Sequence, residues 1–261
     1  SYRHQFHAGN VADVFKHAML TQLLVALARK DKPFGMLDTH AGIGLYDLTH
    51  PWSQKTEEWR QGIGRVWART DAPATLLPYL EAVRADNPDG HLRRYPGSPR
   101  IARRLMRTDD RLVLCELNKD DCAALKLVFD GVRHTAIHNQ DGFTALRGFL
   151  PPPERRGLTF IDASFDQADE FGRITRAIKE AHTRFATGMI AVWYPLMAPS
   201  SMQRSHVPQF SCSSPKRSAT ARLRQMPLTQ ARHSALKRSF AWESFIVLKR
   251  LISLLRQNAS A

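Results

Sequence analysis

The sequence predicts an α/β fold built on a mostly parallel sheet, and three observations predict it. Five short apolar runs alternate with segments of helical spacing, the pattern of repeated βα units. The first run, Phe34–Asp38, opens directly into the Gly-bearing turn Thr39-His40-Ala41-Gly42-Ile43-Gly44. Acids also gather where the runs end: Asp38, Glu116 and Asp162 close their runs, and Asp141 follows His138 by three residues. Ligands of open α/β sheets bind outside the carboxyl ends of the strands, so four acids there point to a nucleotide-like ligand.

The elements follow in order. Val11, Val14, Phe15, Ala18, Leu23, Leu24 and Leu27 fall near helical spacing, which predicts a helix over 10–30 with Asn10 as N-cap. After the first strand and its turn, the texture changes over residues 50–110. Trp52, Trp59 and Trp67 stand among charges, then Leu76, Leu77, Leu80 and Val83 recur at helical spacing. A helical insertion is expected there, with the tryptophans in its core. It ends in the rigid Tyr95-Pro96-Gly97-Ser98-Pro99, and a helix over 99–107 opens on that last Pro. Leu112–Glu116, Thr135–His138, Leu158–Asp162 and Met189–Tyr194 are the remaining strands, separated by helices near 120–129, 143–150 and 171–185. The resulting division is a core of 1–49 with 111–200, an insertion at 50–110, and a tail at 201–261.

The tail stands apart. Residues 201–261 hold 11 Lys/Arg and one acid, Glu243, so they carry +10 of the net +14. They contain 11 Ser but no Gly, Asp or Tyr, whereas turns of an α/β domain use Gly and Asp. An RNA-binding basic tail, a disordered extension and an out-of-frame translation all fit that composition, the last best. Three scattered cysteines (Cys115, Cys122, Cys212) argue against a disulfide scaffold or a zinc site. His4 and His7, spaced like a metal pair, have no carboxylate or Cys beside them in sequence, so no metal is expected. The sequence shows neither an apolar run of spanning length nor a signal-peptide core at its start. A cytoplasmic monomer with no membrane partner is the expectation.

Several motifs then resemble one family. Tyr2-Arg3-His4-Gln5-Phe6-His7-Ala8-Gly9-Asn10, Asp13-Val14 and Lys16-His17 look like the N-terminus of the RlmJ family, adenine-N6 methyltransferases of 23S ribosomal RNA. Leu37–Gly42, Tyr95–Pro99, Asp141-Gly142, Arg155–Gly157, Arg184–Gly188 and Trp193–Pro195 continue the match through residue 197. The resemblance implies a Rossmann-like, class I S-adenosylmethionine-dependent methyltransferase with a helical insertion after the first strand. It implies that His17, His40 and Ser98 line the S-adenosylmethionine pocket. Glu116 would hold the ribose hydroxyls, and Asp141 with Gly142 would reach the adenine. Asp162 would be the catalytic residue at the edge of the same pocket. Tyr2 would touch the RNA, and Phe165 would stack on the extruded base.

The chain departs from the family at two places. The family's D-P-P-[YF] loop reads Asp162-Ala163-Ser164-Phe165, keeping a carboxylate and an aromatic but neither proline. After Met202 no resemblance is visible. A catalytically impaired RNA-binding remnant is therefore the alternative function, and a DNA adenine methyltransferase a third. The five arginines Arg103, Arg104, Arg107, Arg155 and Arg156 are candidates for phosphate contacts.

Overall fold

A computed structural model describes residues 3–165 and 169–196, together with the strand Trp242–Leu248. The site discussed below lies within one compact unit, residues 1–195 with 243–261.

The predicted α/β architecture is present. The central sheet contains β1 (Gly35–Asp38), β4 (Arg111–Cys115), β5 (Thr135–His138), β6 (Gly157–Asp162), β7 (Met189–Leu196) and β8 (Trp242–Leu248). Its order is β5-β4-β1-β6-β7-β8. The β1–β4, β1–β6, β4–β5 and β6–β7 pairs are all parallel, so those strands' carboxyl ends share one edge. The chain runs outward from β1 through β4 to β5, then returns to β6 on the other side of β1. That reversal is the switch point at which such sheets open a crevice, and Asp38 and Asp162 both sit there.

Helix α1 (Val11–Ala28) is capped as its sequence predicts, Asn10 Oδ1 accepting from the Asp13 amide at 2.9 Å. Leu20, Leu23, Leu24 and Leu27 pack onto Phe34, Met36, Leu112 and Phe160 on one face of the sheet. On the other face, α8 (Gly142–Phe149) and α9 (Glu170–Arg184) contribute Leu146, Ile174 and Ala181 to a second cluster. α1 also corrects an expectation: its 18 residues are long and apolar enough to cross a membrane. Its leucines are instead consumed by the core, and the charges of Asp13 and Lys16 are buried within it.

The insertion is helical, with α2 (Pro51–Thr56), α3 (Glu58–Gln61), α4 (Ile63–Trp67) and α5 (Leu77–Arg84). Its ends are tied by an antiparallel pair that the sequence does not reveal, β2 (Leu45–Asp47) with β3 (Arg94–Pro96). Three-residue strands carry too little alternation to read, but buried Tyr46 and Tyr95 face each other across this pair. Helix α6 (Ser98–Leu105) follows at once, with Ile101 in the insertion core and Ala102 in the main core. The three tryptophans separate: Trp59 and Trp67 pack against the insertion core, while Trp52 stays 41% exposed.

Most of the candidate phosphate arginines are engaged within the fold. Arg103 donates to the Asp110 carbonyl and Arg104 to Asp86. Arg107 pairs with Asp110 and donates to the carbonyls of 30–32, and Arg156 donates to the Leu27 and Lys32 carbonyls. Arg103, Arg107 and Arg156 thus tie the ends of α1 and α6 to the segments that lead into β4 and β6, while Arg104 ties α6 to Asp86 in the insertion.

Candidate active site

A cleft of about 860 Å³ opens at the carboxyl edge of the sheet, within the range of roughly 300–1,000 Å³ usual for small-molecule sites. It gathers nearly every candidate residue: His17, His40, Ser98, Glu116, Asp141, Gly142, Asp162 and Phe165 all line it. Tyr2 lies outside the described residues.

The β1 turn builds one wall. Gly42 adopts φ +61°, and a Cβ there would meet the Tyr46 hydroxyl at 2.5 Å, so glycine is required. The turn is held by Glu116, whose carboxylate accepts the Gly42 amide at 2.9 Å and the Asn118 amide at 2.8 Å. Burial raises the Glu116 carboxyl above its ordinary value, against these two amides. Gly142 is packed tighter still, since a Cβ would lie 1.9 Å from the Thr39 carbonyl. The start of α8 thus presses directly on the turn after β1.

Asp38 is fully buried beneath this wall. It accepts Ser98 Oγ at 2.7 Å and the His40 amide at 3.2 Å. Burial pushes its carboxyl up to about 7, outweighing both hydrogen bonds. Ser98, the first residue of α6, therefore joins the helical insertion to the end of β1.

Two histidines face the cleft as neutral rings. His17 stacks on Tyr95 with ring centres 5.6 Å apart, its Nδ1 hydrogen-bonded to the Tyr95 hydroxyl at 2.8 Å. Burial drives His17 down to about 3. His40 is driven to about 4, again chiefly by burial, with its Nδ1 on Thr39 Oγ1 and its ring edge-on to Phe143.

Asp141 is the N-cap of α8: one carboxylate oxygen accepts the Phe143 and Thr144 amides at 2.7 and 3.2 Å. Its other oxygen accepts Arg173 at 2.6 Å, and the Arg173 guanidinium lies 4.7 Å from the centre of the Phe143 ring. Arg173 reaches the cleft from the first turn of α9, far along the chain. No local sequence signal marks it.

The cleft is also lined by a buried Asp13–Lys16–Asp162 ion-pair network that sequence reasoning missed. Lys16 Nζ, fully buried, donates to Asp162 Oδ2 at 2.7 Å and to Asp13 Oδ1 at 2.9 Å. Burial works against its charge, but Asp13 and Asp162 outweigh it and hold the ammonium well above its ordinary value. Asp13 accepts further from the Gly9 amide and from His4 Nε2, both at 2.9 Å. Burial likewise opposes the Asp13 charge, yet His4 and Lys16 keep its carboxyl well below the usual range. A signal was available: Asp13 and Lys16 stand i, i+3 on an otherwise apolar helix, where charges are tolerated only in pairs. His4 and His7 also have carboxylate partners after all, Asp13 and Glu58. Among the described residues, no group of three or more ligating side chains suits a metal.

The loop after β6 carries no proline at residues 163–165. Phe165 adopts φ +58°, uncommon for a residue with a bulky side chain. Its ring packs against Phe171 at 5.1 Å, while Ala163 is buried under the loop.

Comparisons with known proteins agree with this geometry. Residues 31–234 match the family model described as ribosomal RNA large subunit methyltransferase D, RlmJ. The match runs on to residue 234, which corrects the expectation that the resemblance ends at Met202. The Escherichia coli K12 protein named ribosomal RNA large subunit methyltransferase J is 43% identical over 204 residues, covering 78% of this chain and 73% of that one. Its Haemophilus influenzae counterpart of the same name is 43% identical over 198 residues, 76% and 70% of the two chains. A crystal structure from Legionella pneumophila superposes with a TM-score of 0.70 at 42% identity, covering 74% of this chain and 72% of that one. The parallel sheet, its crevice and these matches together establish that the chain belongs to the RlmJ family of ribosomal RNA large subunit methyltransferases, with their Rossmann-like fold.

Proposed function

We propose that this protein transfers a methyl group from S-adenosylmethionine to the N6 atom of an adenine in 23S ribosomal RNA, acting as a cytoplasmic monomer. The observation that carries the proposal is the convergence of His17, His40, Ser98, Glu116, Asp141, Gly142 and Asp162 on one cleft at the switch point of the sheet. The core at 1–49 and 111–200 would supply the site, and the insertion at 50–110 would close one side of it.

The residues fit the cofactor. Glu116, Asp141 and Asp162 offer carboxylate acceptors to the cofactor, and the neutral histidines add polar contacts without opposing a cationic sulfonium. Glu116 would hold the ribose hydroxyls, Asp141 and Gly142 the adenine end, and His17, His40 and Ser98 the remainder. Bound there, S-adenosylmethionine supplies an electrophilic methyl group to an in-line displacement. Placement and electrostatics then do most of the catalysis. Asp162 would accept a hydrogen bond from the adenine amine, whose lone pair is otherwise delocalised into the ring. That favours a tetrahedral, reactive nitrogen. Lys16 fixes the carboxylate's orientation through Oδ2, and Asp13 fixes Lys16. Phe165 would stack on the extruded base, as Tyr2 would contact the RNA.

The second reading, an RNA-binding remnant without catalysis, is favoured by Ala163 and Ser164 in place of the family's prolines. Calorimetric titration with S-adenosylmethionine separates the two. Micromolar affinity supports the enzyme, whereas a folded sample that binds RNA but no cofactor makes it a remnant.

A further inference from the structure

Trp52, at the mouth of the cleft, has no role in the chemistry described so far. It stacks on Phe6, with ring centres 5.0 Å apart and planes 14° from parallel, and His50 meets its edge at 5.1 Å. An indole 41% exposed contributes little to a core, and Trp52 is absent from the insertion cluster that takes up Trp59 and Trp67. It nonetheless lines the same cleft as Asp162 and Phe165.

The pair is also held rigidly. Gln5, beside Phe6, donates to Ser53 Oγ at 2.6 Å and to the Asp47 carbonyl at 2.8 Å. Ser53, beside Trp52, donates back to the Gln5 carbonyl at 2.8 Å. Thr56 Oγ1 donates to the Phe6 carbonyl, and His50 Nδ1 accepts the Trp52 amide at 3.1 Å. The turn His4–Phe6 and helix α2 are thus laced together along both backbones. Such fixation lowers the ordering cost of binding and is more than an incidental surface contact requires.

Resting on the rRNA reading above, we infer that the Phe6–Trp52 stack is a platform for a nucleobase flanking the methylated adenine, a second stacking site beside Phe165. The exposed indole offers a π-face, which every base can use whatever its sequence. The platform grows out of the N-terminal segment that contains Tyr2, only four residues before Phe6. A flanking base held there would keep the strand unstacked on one side of the target and ease extrusion of the adenine.

The test is equilibrium binding of full-length protein to unmodified, transcribed 23S rRNA at fixed salt, with KM for the same transcript. Trp52→Ala and Trp52→Leu are the variants, the second keeping an apolar cover over Phe6, so that a folding defect in the first leaves the question answerable. Both are expected to weaken binding at least about fivefold, at the low end of one lost base stack, with KM rising in parallel. Trp52→Phe is expected to recover most of the loss, and S-adenosylmethionine affinity to stay at the wild-type value. Wild-type RNA affinity and KM in Trp52→Leu overturn the inference while leaving the enzyme reading intact. Wild-type protein that binds S-adenosylmethionine but neither binds nor methylates the transcript overturns both.

Discussion

At the residue scale, the site turns on one buried cation between two carboxylates. Lys16 joins Asp13 to Asp162, so removing it strips Asp162 of the ammonium on its Oδ2 and leaves Asp13 with only His4 and the Gly9 amide. Breaking a buried pair costs roughly 3–5 kcal/mol. Lys16→Met should therefore lower stability in urea by about that amount; a change within about 0.5 kcal/mol, the size typical of surface positions, would refute the buried ion pairs. Asp162→Ala should abolish methyl transfer while the cofactor still binds, and unchanged turnover would remove Asp162 from the chemistry. Arg173→Ala should weaken S-adenosylmethionine binding about tenfold, the scale of one lost charged hydrogen bond of about 1.4 kcal/mol. Titration calorimetry giving wild-type affinity would show that Asp141 needs no partner on α9. Of these residues, Asp162 and Asp141 were legible because each ends or follows an apolar run. Lys16 was half legible, present in a recognised motif but without a role. Arg173 was illegible, since its proximity to Asp141 exists only after α9 folds back along the sheet.

At the element scale, two loops decide whether the site is competent. The turn after β1 is compressed by the start of α8, so Gly142→Ala must drive Thr39 away from a contact of 1.9 Å. It should lose cofactor binding and melt at a lower temperature; a variant with wild-type calorimetry would show that the turn can yield. The loop after β6 lacks the prolines that would pre-set it. Restoring them with the double change Ala163→Pro, Ser164→Pro should raise the rate, by up to about 100-fold if the present loop is misplaced by about 1 Å. Single-turnover rates no better than the parent would show that the left-handed Phe165 already holds the loop. The five predicted strands and their helices were readable because each carries its period in consecutive residues. The β2–β3 pair was not, because it depends on two three-residue segments nearly fifty positions apart.

At the scale of the whole molecule, burial of neutral histidines ties stability to pH. His17 and His40 fall to about 3 and about 4 in the folded protein, from about 6.5 unfolded. Their contribution is complete above pH 6.5 and is lost as pH falls toward those values, because the unfolded chain binds two more protons. Asp38, raised to about 7, works the other way: the folded chain holds one proton that the unfolded chain releases above about pH 4. Between about pH 4.5 and 6 these three groups leave the unfolded chain holding more protons than the folded one, so their joint contribution to stability should fall as the pH is lowered. Denaturant titrations across that window check the slope, and a flat profile would contradict the assigned burial. The basic tail was legible as a change of composition; of residues 201–261, the described part is the strand at the edge of the sheet.

The most direct test of the account is transfer of a labelled methyl group from S-adenosylmethionine to unmodified 23S rRNA by the purified full-length protein, followed by nucleoside mass spectrometry of the digested RNA. The account predicts N6-methyladenosine, present with the wild-type protein and absent with Asp162→Ala. A folded protein that binds the cofactor and leaves the RNA unmodified, or that methylates a nucleoside other than adenosine, would contradict it.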